Sequence, residues 1–433
     1  MISARTRELG FLVPGLLVGL LGAATVASAR ADALEYGPVA GAVAVVVVFG
    51  VMHLVLRWRA PLADPYLLPL IAMLIAIGLV ELDRIRPSLA RDQLIWVGIG
   101  GAVFVAVLVL MRDHHVLERY RYLIGLGGVA LLLATMVFGT TINGSRLWIE
   151  LPGGQTIQLT ELSKVLIVIF LAGYLRDKRE LLAIPTRRIG PLPVPPMAAL
   201  GPALLVLLAS LLVIAVLNDF GTGILFFGVF IAMLYLATGR AVYPLIGAVG
   251  MVLGAVLVWL AVPRIQDRVD AWLFPFDDAQ GLGFQSVQSI YALAEGGVLG
   301  PGLGRGFLVT ADGATVIPAL ETDFIFSAVS TELGYLGGVA LLLVYLLIVQ
   351  RGISIAAAAT DGFSKLLAGG LTALIGIQAI LIVGGVVRLV PLTGVTLPFM
   401  SYGGSSVVTN FGLVAILLVV SHRSRAETRA GRR

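Results

Sequence analysis

The stretch Glu321-Thr322-Asp323-Phe324-Ile325-Phe326 closes a polar excursion that starts at Arg264, and it opens an apolar run to about Gln350. The excursion is roughly sixty residues long in a chain that is otherwise built of membrane-length apolar runs. It ends with an acid at the water boundary. Any chemistry is expected to centre there.

The surrounding chain explains why this excursion stands out. Of its 433 residues 58% are hydrophobic and 13% charged, and the mean hydropathy is +1.00. That composition excludes an ordinary soluble domain and reads as an all-α polytopic membrane protein. About twelve apolar spans are expected, near 9–28, 38–56, 66–80, 93–111, 122–139, 160–175, 197–217, 221–238, 241–262, 324–350, 366–387 and 405–421. The net charge of +5 would suggest nucleic acid only if the basic residues were not already placed by topology. With both termini inside, most Lys and Arg fall on inner segments, from Arg5 and Arg7 to the tail Arg423–Arg433. The large loop before span 10 then lies outside.

Two absences narrow the chemistry. The chain has no cysteine, so thiol catalysis, disulfides and thiolate metal sites are excluded. Its histidines (His53, His114, His115 and His422) fall at or near the inner side, which removes a Ser-His site or a His-bound metal from the outer face. Outer chemistry must rest on carboxylates, Lys, Arg or an oxygen-bound metal.

The first span, followed by Ala27-Ser28-Ala29 or Ala31-Asp32-Ala33, imitates a secretory signal. Its apolar run is longer than a usual signal core, so a retained helix is expected. The linker Arg57-Trp58-Arg59-Ala60-Pro61 sets the first two spans apart, giving three regions: residues 1–60 as two additional helices, 61–422 as the membrane body with the 264–323 loop, and 423–433 as a basic tail.

Several polar groups sit where lipid would penalise them. Gln158, Glu161 and Lys164 are three apart and share a helix side, as an interfacial ion pair or as a cavity wall. Asp219, beside Gly221 and Gly223, reads as a helix cap. Residues 264–273 space Ile265, Val269, Trp272 and Leu273 on one face, as in a helix lying on the membrane surface with Trp272 at headgroup depth. The glycine run from Gly296 to Gly306 could cradle a phosphate, but without a strand-turn-helix context a re-entrant or lid-like loop is favoured. Glu332 lies among Ser327, Ser330 and Thr331 and must face protein or water. Pro391, Pro398 and the Gly403-Gly404 pair break the last outer loop, whose Ser401, Tyr402, Ser405 and Ser406 then sit at membrane depth around a cavity.

These blocks, in this order, resemble the SEDS family of peptidoglycan glycosyltransferases (RodA, FtsW and SpoVE) from about residue 66 to 422. The blocks are Asn143-Gly144-Ser145-Arg146 with Trp148, Glu161-x-x-Lys164, Asp219-Phe220-Gly221-Thr222, Gln285 and Gln288-Ser289 with Gly296-Gly297, Thr322-Asp323-Phe324-Ile325-Phe326 with Glu332-Leu333-Gly334, and Pro391–Ser406. The family body has ten spans, so the first two helices are additional. Pro318-Ala319-Leu320-Glu321 departs from the family's Pro-Glu-x-His, Gln158-Leu159-Thr160-Glu161 from its Gln-Pro-Ser-Glu, and Asn218 replaces a proline. Leu392-Thr393-Gly394 together with Arg388 leans toward the elongation (RodA) branch over the division (FtsW) branch.

The resemblance implies polymerisation of lipid II outside the cytoplasmic membrane, with undecaprenyl pyrophosphate displaced. Asp323 maps onto the family's essential aspartate, the proposed general base. A helix N-terminus would lower its pKa and weaken it as a base, an effect that burial, Glu321 or a divalent cation (Mg2+ or Mn2+) on the pyrophosphate would offset. Substrate contacts are expected from Arg146, Glu161, Lys164, Arg264, Gln285, Glu332, Arg388, Ser401 and Ser405, and no metal ligands are identified. A class B penicillin-binding protein is the expected partner. A lipid II flippase is the competing class, and it would require polar features reaching the inner half of the bundle.

Overall fold

The computed structural model describes residues 3–30, 37–142, 144–150, 154–183, 187–189, 192–194, 197–310 and 313–431. The Ala31-Asp32-Ala33 stretch, Asn143 and the final arginines of the tail lie outside the described residues. In chain order the first helices are α1 (Ala4–Arg30), α2 (Gly37–Arg59), α3 (Leu67–Ile85), α4 (Pro87–Leu110), α5 (His115–Arg119) and α6 (Arg121–Phe138). A small antiparallel sheet follows, of β1 (Thr140–Ile142), β2 (Ser145–Glu150) and β3 (Thr156–Ile157). Next come α7 (Leu159–Ala183), the hairpin β4 (Arg187–Ile189) and β5 (Leu192–Val194), α8 (Met197–Val216), α9 (Phe220–Thr238) and α10 (Val242–Ala261). The polar excursion holds α11 (Pro263–Leu273) and α12 (Phe284–Gly296), and the chain ends with α13 (Ile325–Ala358), α14 (Gly362–Val386) and α15 (Gly404–Ala430).

Among the described residues, ten of these helices are long and apolar enough to cross a membrane. The count expected from sequence was about twelve. The two others of membrane length, α3 (19 residues) and α7 (25 residues), carry Glu81, Asp83 and Arg84, and Glu161 and Lys164 with a charged C-terminal end. Burial is what makes those charges tolerable: Glu81, Glu161 and Lys164 are all enclosed by protein.

The chain divides into two units. The first comprises Met1–Leu110, Trp259–Arg351 and Gln378–Ala415. Within it α1 packs along α3, close enough that a Cβ on Gly19 would stand 2.6 Å from that of Ala76. Small residues allow such approaches between apolar helices. Arg5 and Glu8 of α1 form a buried ion pair, Glu8 also meets His53 Nδ1 of α2 at 2.6 Å, and Arg5 donates to the Ala63 carbonyl at 2.5 Å. A second core centres on Phe411, whose ring lies 5.9 Å from Phe49 and 5.6 Å from Phe399.

The feature that shapes the excursion is a break in α13. Gly334 has φ 68° and ψ −171°, so the helix is interrupted after Leu333. The glycine run repairs it: Tyr335 N–H donates to Gly297 O (2.8 Å), Leu336 N–H to Val298 O (3.1 Å), and Gly302 N–H to Glu332 O (2.9 Å). Broken backbone at membrane depth is tolerated where protein groups re-satisfy it in this way. The Glu332 carboxylate accepts from Gly304 N–H at 2.8 Å and Gly306 N–H at 3.3 Å, with Arg84 Nε 3.4 Å away. The run does cradle an anion, and the anion is the protein's own.

The second unit comprises Met111–Val258, Gly352–Ile377 and Ile416–Arg433. Here α6 and α7 pack most extensively, with Gly125 facing Phe170 and Ser163 Oγ bonded to Gly128 O at 2.8 Å. Asp219 caps α9 by accepting from Thr222 N–H at 3.1 Å, as its place in the sequence suggested, and Gly239 closes the helix at φ 67°.

Gly300 tests the repair. It has φ +73°, and a Cβ there would lie 2.1 Å from Glu332 O and 2.6 Å from Gly334 N. Gly300→Ala is expected to destabilise the protein by at least about 1–3 kcal/mol. Gly98→Ala, where no atom lies within 4 Å, should leave the thermal unfolding midpoint in detergent unchanged or raised.

Candidate active site

Asp323 is presented by a tight turn rather than by a helix cap. Ala319 adopts φ +58°, and its carbonyl accepts from Thr322 N–H (3.2 Å) and Asp323 N–H (2.9 Å). Phe324 and Ile325, both buried, then anchor the chain as α13 begins. The broken loop 391–403 holds this turn from its other side. Ser401 Oγ donates to Thr322 O at 2.5 Å, and Tyr402 N–H donates to Glu321 O at 2.8 Å. The backbone leading into Asp323 is thereby fixed.

The Asp323 carboxylate opens on a cavity of about 310 Å³ within the first unit. Its walls are Arg264, Asp267, Arg268, Ala271 and Trp272 from α11, Leu282, Gln285 and Ser286 around the start of α12, and Gly385, Arg388, Leu392 and Gly394 from the last loop. Gly394 has φ +68°, and a Cβ there would stand 3.9 Å from Asp323 Oδ2, so the smallest residue leaves room before the acid. Three arginines and two aspartates make the pocket strongly polar with a cationic excess. Burial raises the Asp323 pKa to about 6, against the lowering effects of the Thr322 hydroxyl and of Arg268, with Glu321 adding to the rise. Desolvation therefore overcomes the lowering that a helix N-terminus would have imposed.

Trp272, expected on the apolar face of α11, takes part in the cavity, and its Nε1–H donates to Arg388 O at 3.0 Å. Arg388, held at φ +60°, answers with Nη2 to Trp272 O (2.6 Å) and Leu273 O (3.3 Å). A cation at the last carbonyls of a helix is favourable, so Arg388 caps α11 while forming a wall of the pocket.

Of the residues expected to contact substrate, Arg264, Gln285 and Arg388 share this cavity with Asp323. Gln285 is oriented by its Nε2 donating to Pro318 O at 3.1 Å. Ser401 supports the Asp323 turn without lining the cavity, Ser405 lies in the first turn of α15, and Glu332 holds the glycine run. Arg146, Glu161 and Lys164 belong to the second unit. There Arg146 caps α6 through Gly139 O (2.7 Å) and Val137 O (3.1 Å), and Lys164 Nζ pairs with Glu161 Oε1 at 2.7 Å in a buried site. Asp267 and Arg268 were not singled out from the sequence. With Arg264, Ala271 and Trp272 they follow helical spacing on α11, a stripe that the apolar residues of the same helix obscured.

The family model FtsW, RodA and SpoVE, described as a cell cycle protein, matches residues 42–426. The chain belongs to this family. It is 38% identical over 411 residues to the peptidoglycan glycosyltransferase RodA of Mycobacterium tuberculosis, covering 92% of this chain and 85% of the relative. It is 35% identical over 339 residues to the stage V sporulation protein E of Bacillus subtilis, covering 78% and 87%. A solved structure described as structural coordination of polymerization and crosslinking by a peptidoglycan synthase complex superposes with a TM-score of 0.68 at 28% identity, covering 84% of this chain and 98% of that one. As a RodA homologue of the SEDS family, the chain carries its excursion and its broken last loop within the matched residues.

The clasp between Trp272 and Arg388 can be tested apart from activity. Trp272→Phe keeps the ring and leaves Arg388 O without its donor, and should cost about 1–3 kcal/mol in detergent unfolding.

Proposed function

We propose that this peptidoglycan glycosyltransferase polymerises lipid II into glycan strands on the outer face of the bacterial cytoplasmic membrane, with Asp323 as general base. The observation that carries the reading is a carboxyl with a pKa of about 6 on the wall of a cavity lined by Arg264, Arg268 and Arg388. A base is most effective when its pKa lies near the working pH, and guanidinium groups suit the oxygens of a pyrophosphate. In the reaction the 4-hydroxyl of one lipid-linked disaccharide gives its proton to Asp323 as its oxygen bonds to the anomeric carbon of the other. The bond from that carbon to undecaprenyl pyrophosphate breaks, and the leaving group departs with its electron pair.

The topology in this reading has twelve spans, with α3 and α7 counted among them, both termini inside and 264–323 outside. Residues 1–60 are then two additional helices on a 61–422 body, with 423–433 as a basic tail. Asp267, Gln285 and Ser286 offer oxygen donors of the kind that hold Mg2+ or Mn2+. Such an ion would neutralise charge on the pyrophosphate. A class B penicillin-binding protein would cross-link the product, and the Leu392-Thr393-Gly394 loop supports service in elongation.

The test is glycan polymerisation from labelled lipid II by the purified protein with its partner. Asp323→Ala and Asp323→Asn should yield no polymer while retaining partner binding. The folded-state pKa of Asp323 is raised, so its ionised form burdens the fold above pH 6. Asp323→Asn should therefore be at least as stable as wild type at pH 7. Wild-type turnover should fall tenfold per unit as pH drops below about 6. Polymer from a folded Asp323→Ala would refute the assignment.

A further inference from the structure

The second unit contains a cluster of nitrogen and oxygen donors that the polymerisation site does not use. Asp113, His114 and His115 form the turn leading into α5, and one potential ligand atom from each lies within 4.8 Å of the other two. We propose that these three residues form a binding site for a divalent transition metal of the zinc class.

Three observations support it. First, two imidazoles and one carboxylate are the donor set preferred by Zn2+ and Co2+; Mg2+ and Mn2+ favour all-oxygen sites. Second, the outer groups that orient metal-binding imidazoles are present. His114 Nε2 meets Ser364 Oγ at 2.5 Å, Ser364 Oγ bonds the Asp361 carboxylate, and His115 Nε2 stands 3.5 Å from Asp361 Oδ2. A second shell of hydroxyl and carboxylate fixes ring orientation and tautomer in such sites. Third, His114 is only 1% exposed, yet its Nδ1 has no hydrogen-bond partner. A buried ring nitrogen with nothing to bind is costly, and a metal is one of the few partners that satisfies it.

The remaining contacts set how the ion is accommodated. Asp113 Oδ1 accepts from the His115 backbone N–H at 3.1 Å and lies 2.9 Å from His115 Nδ1, while Arg423 Nη2 approaches Oδ2 at 3.3 Å. Ligand atoms bound to one ion at about 2.0–2.2 Å lie within about 4.4 Å of one another, a limit that Asp113 Oδ1 and His115 Nδ1 already meet. Asp361, beside His115 Nε2 and bonded to Ser364, stays among the groups that orient the rings. The His114 and His115 rings already lie 4.4 Å apart, with Phe363 6.1 Å from His114. The ion would join the α4–α6 connection to the start of α14. Together with the inside position expected for these histidines, this makes it a structural ion, separate from any cation on the outer pyrophosphate.

Full-length protein in detergent, stripped with a chelator, is titrated with Co2+ while the visible d–d absorption is recorded, then challenged with Zn2+. One equivalent of Co2+ in a low-symmetry nitrogen and oxygen site, displaced by Zn2+ and not by excess Mg2+, is expected. His115→Ala and His114→Ala should each lower affinity more than a hundredfold, and Ser364→Ala about 10–100-fold as an outer-group change. Thermal unfolding of each apo variant monitors the fold, and His115→Gln serves if an alanine variant does not fold. Stoichiometric binding that survives His114→Ala/His115→Ala, or a folded wild type that binds neither ion at micromolar concentration, would overturn the proposal.

Discussion

Glu332 sits with its carboxylate between the amides of Gly304 and Gly306 and its carbonyl on Gly302 N–H, two residues before α13 breaks at Gly334. The order of the excursion follows from this contact. An ionised group and a broken helix are each expensive at membrane depth. Here each relieves the other, because the glycine run supplies donors to both. Side chains would obstruct it: a Cβ on Gly296, Gly300 or Gly334 would fall within 2.0–2.4 Å of backbone atoms of the opposing segment. With the run fixed, α12 ends against α13, and Ser289 reaches Ser327 at 2.9 Å. The stretch before Asp323 thereby becomes a framework.

Asp323 occupies the opposite end of the same half-helix. The break at Gly334 and the turn at Ala319 bracket a short segment whose buried Phe324, Ile325 and Phe326 leave little freedom to the acid. The last loop closes over it through Ser401 and Tyr402, and Arg388 joins that loop to α11. A carboxyl in such a setting loses solvent on most sides, which raises its pKa toward 6. The position of that acid is set by backbone contacts on both sides of its turn.

Several charged residues expected to contact substrate also make contacts within the fold. Arg146 and Arg388 each satisfy carbonyls at a helix end, and Glu161 with Lys164 forms a buried pair. Carbonyls left over at a helix end need donors, and arginine, with five of them, can satisfy several at once; Glu161 and Lys164, both buried, offset each other's charge. Arg388 shows that a capping role and a place on the cavity wall can coincide.

The sequence by itself determined the all-helical membrane class, most of the helical spans and the polar excursion that Asp323 closes. Apolar length, charge placement and the glycine and proline breaks are local properties, readable from the order of residues. It also marked Asp219 as a cap, since capping is set within one turn of helix. What only the tertiary structure decided was partnership across long separations. Glu332 with the glycine run, Trp272 with Arg388, and Asp267 and Arg268 beside Asp323 depend on segments tens of residues apart, and no periodicity encodes which side of α11 meets the loop. The pKa of Asp323 belongs to the same class: the sequence offered a helix terminus that would lower it, and the fold placed the acid in the turn just before α13, where desolvation prevails.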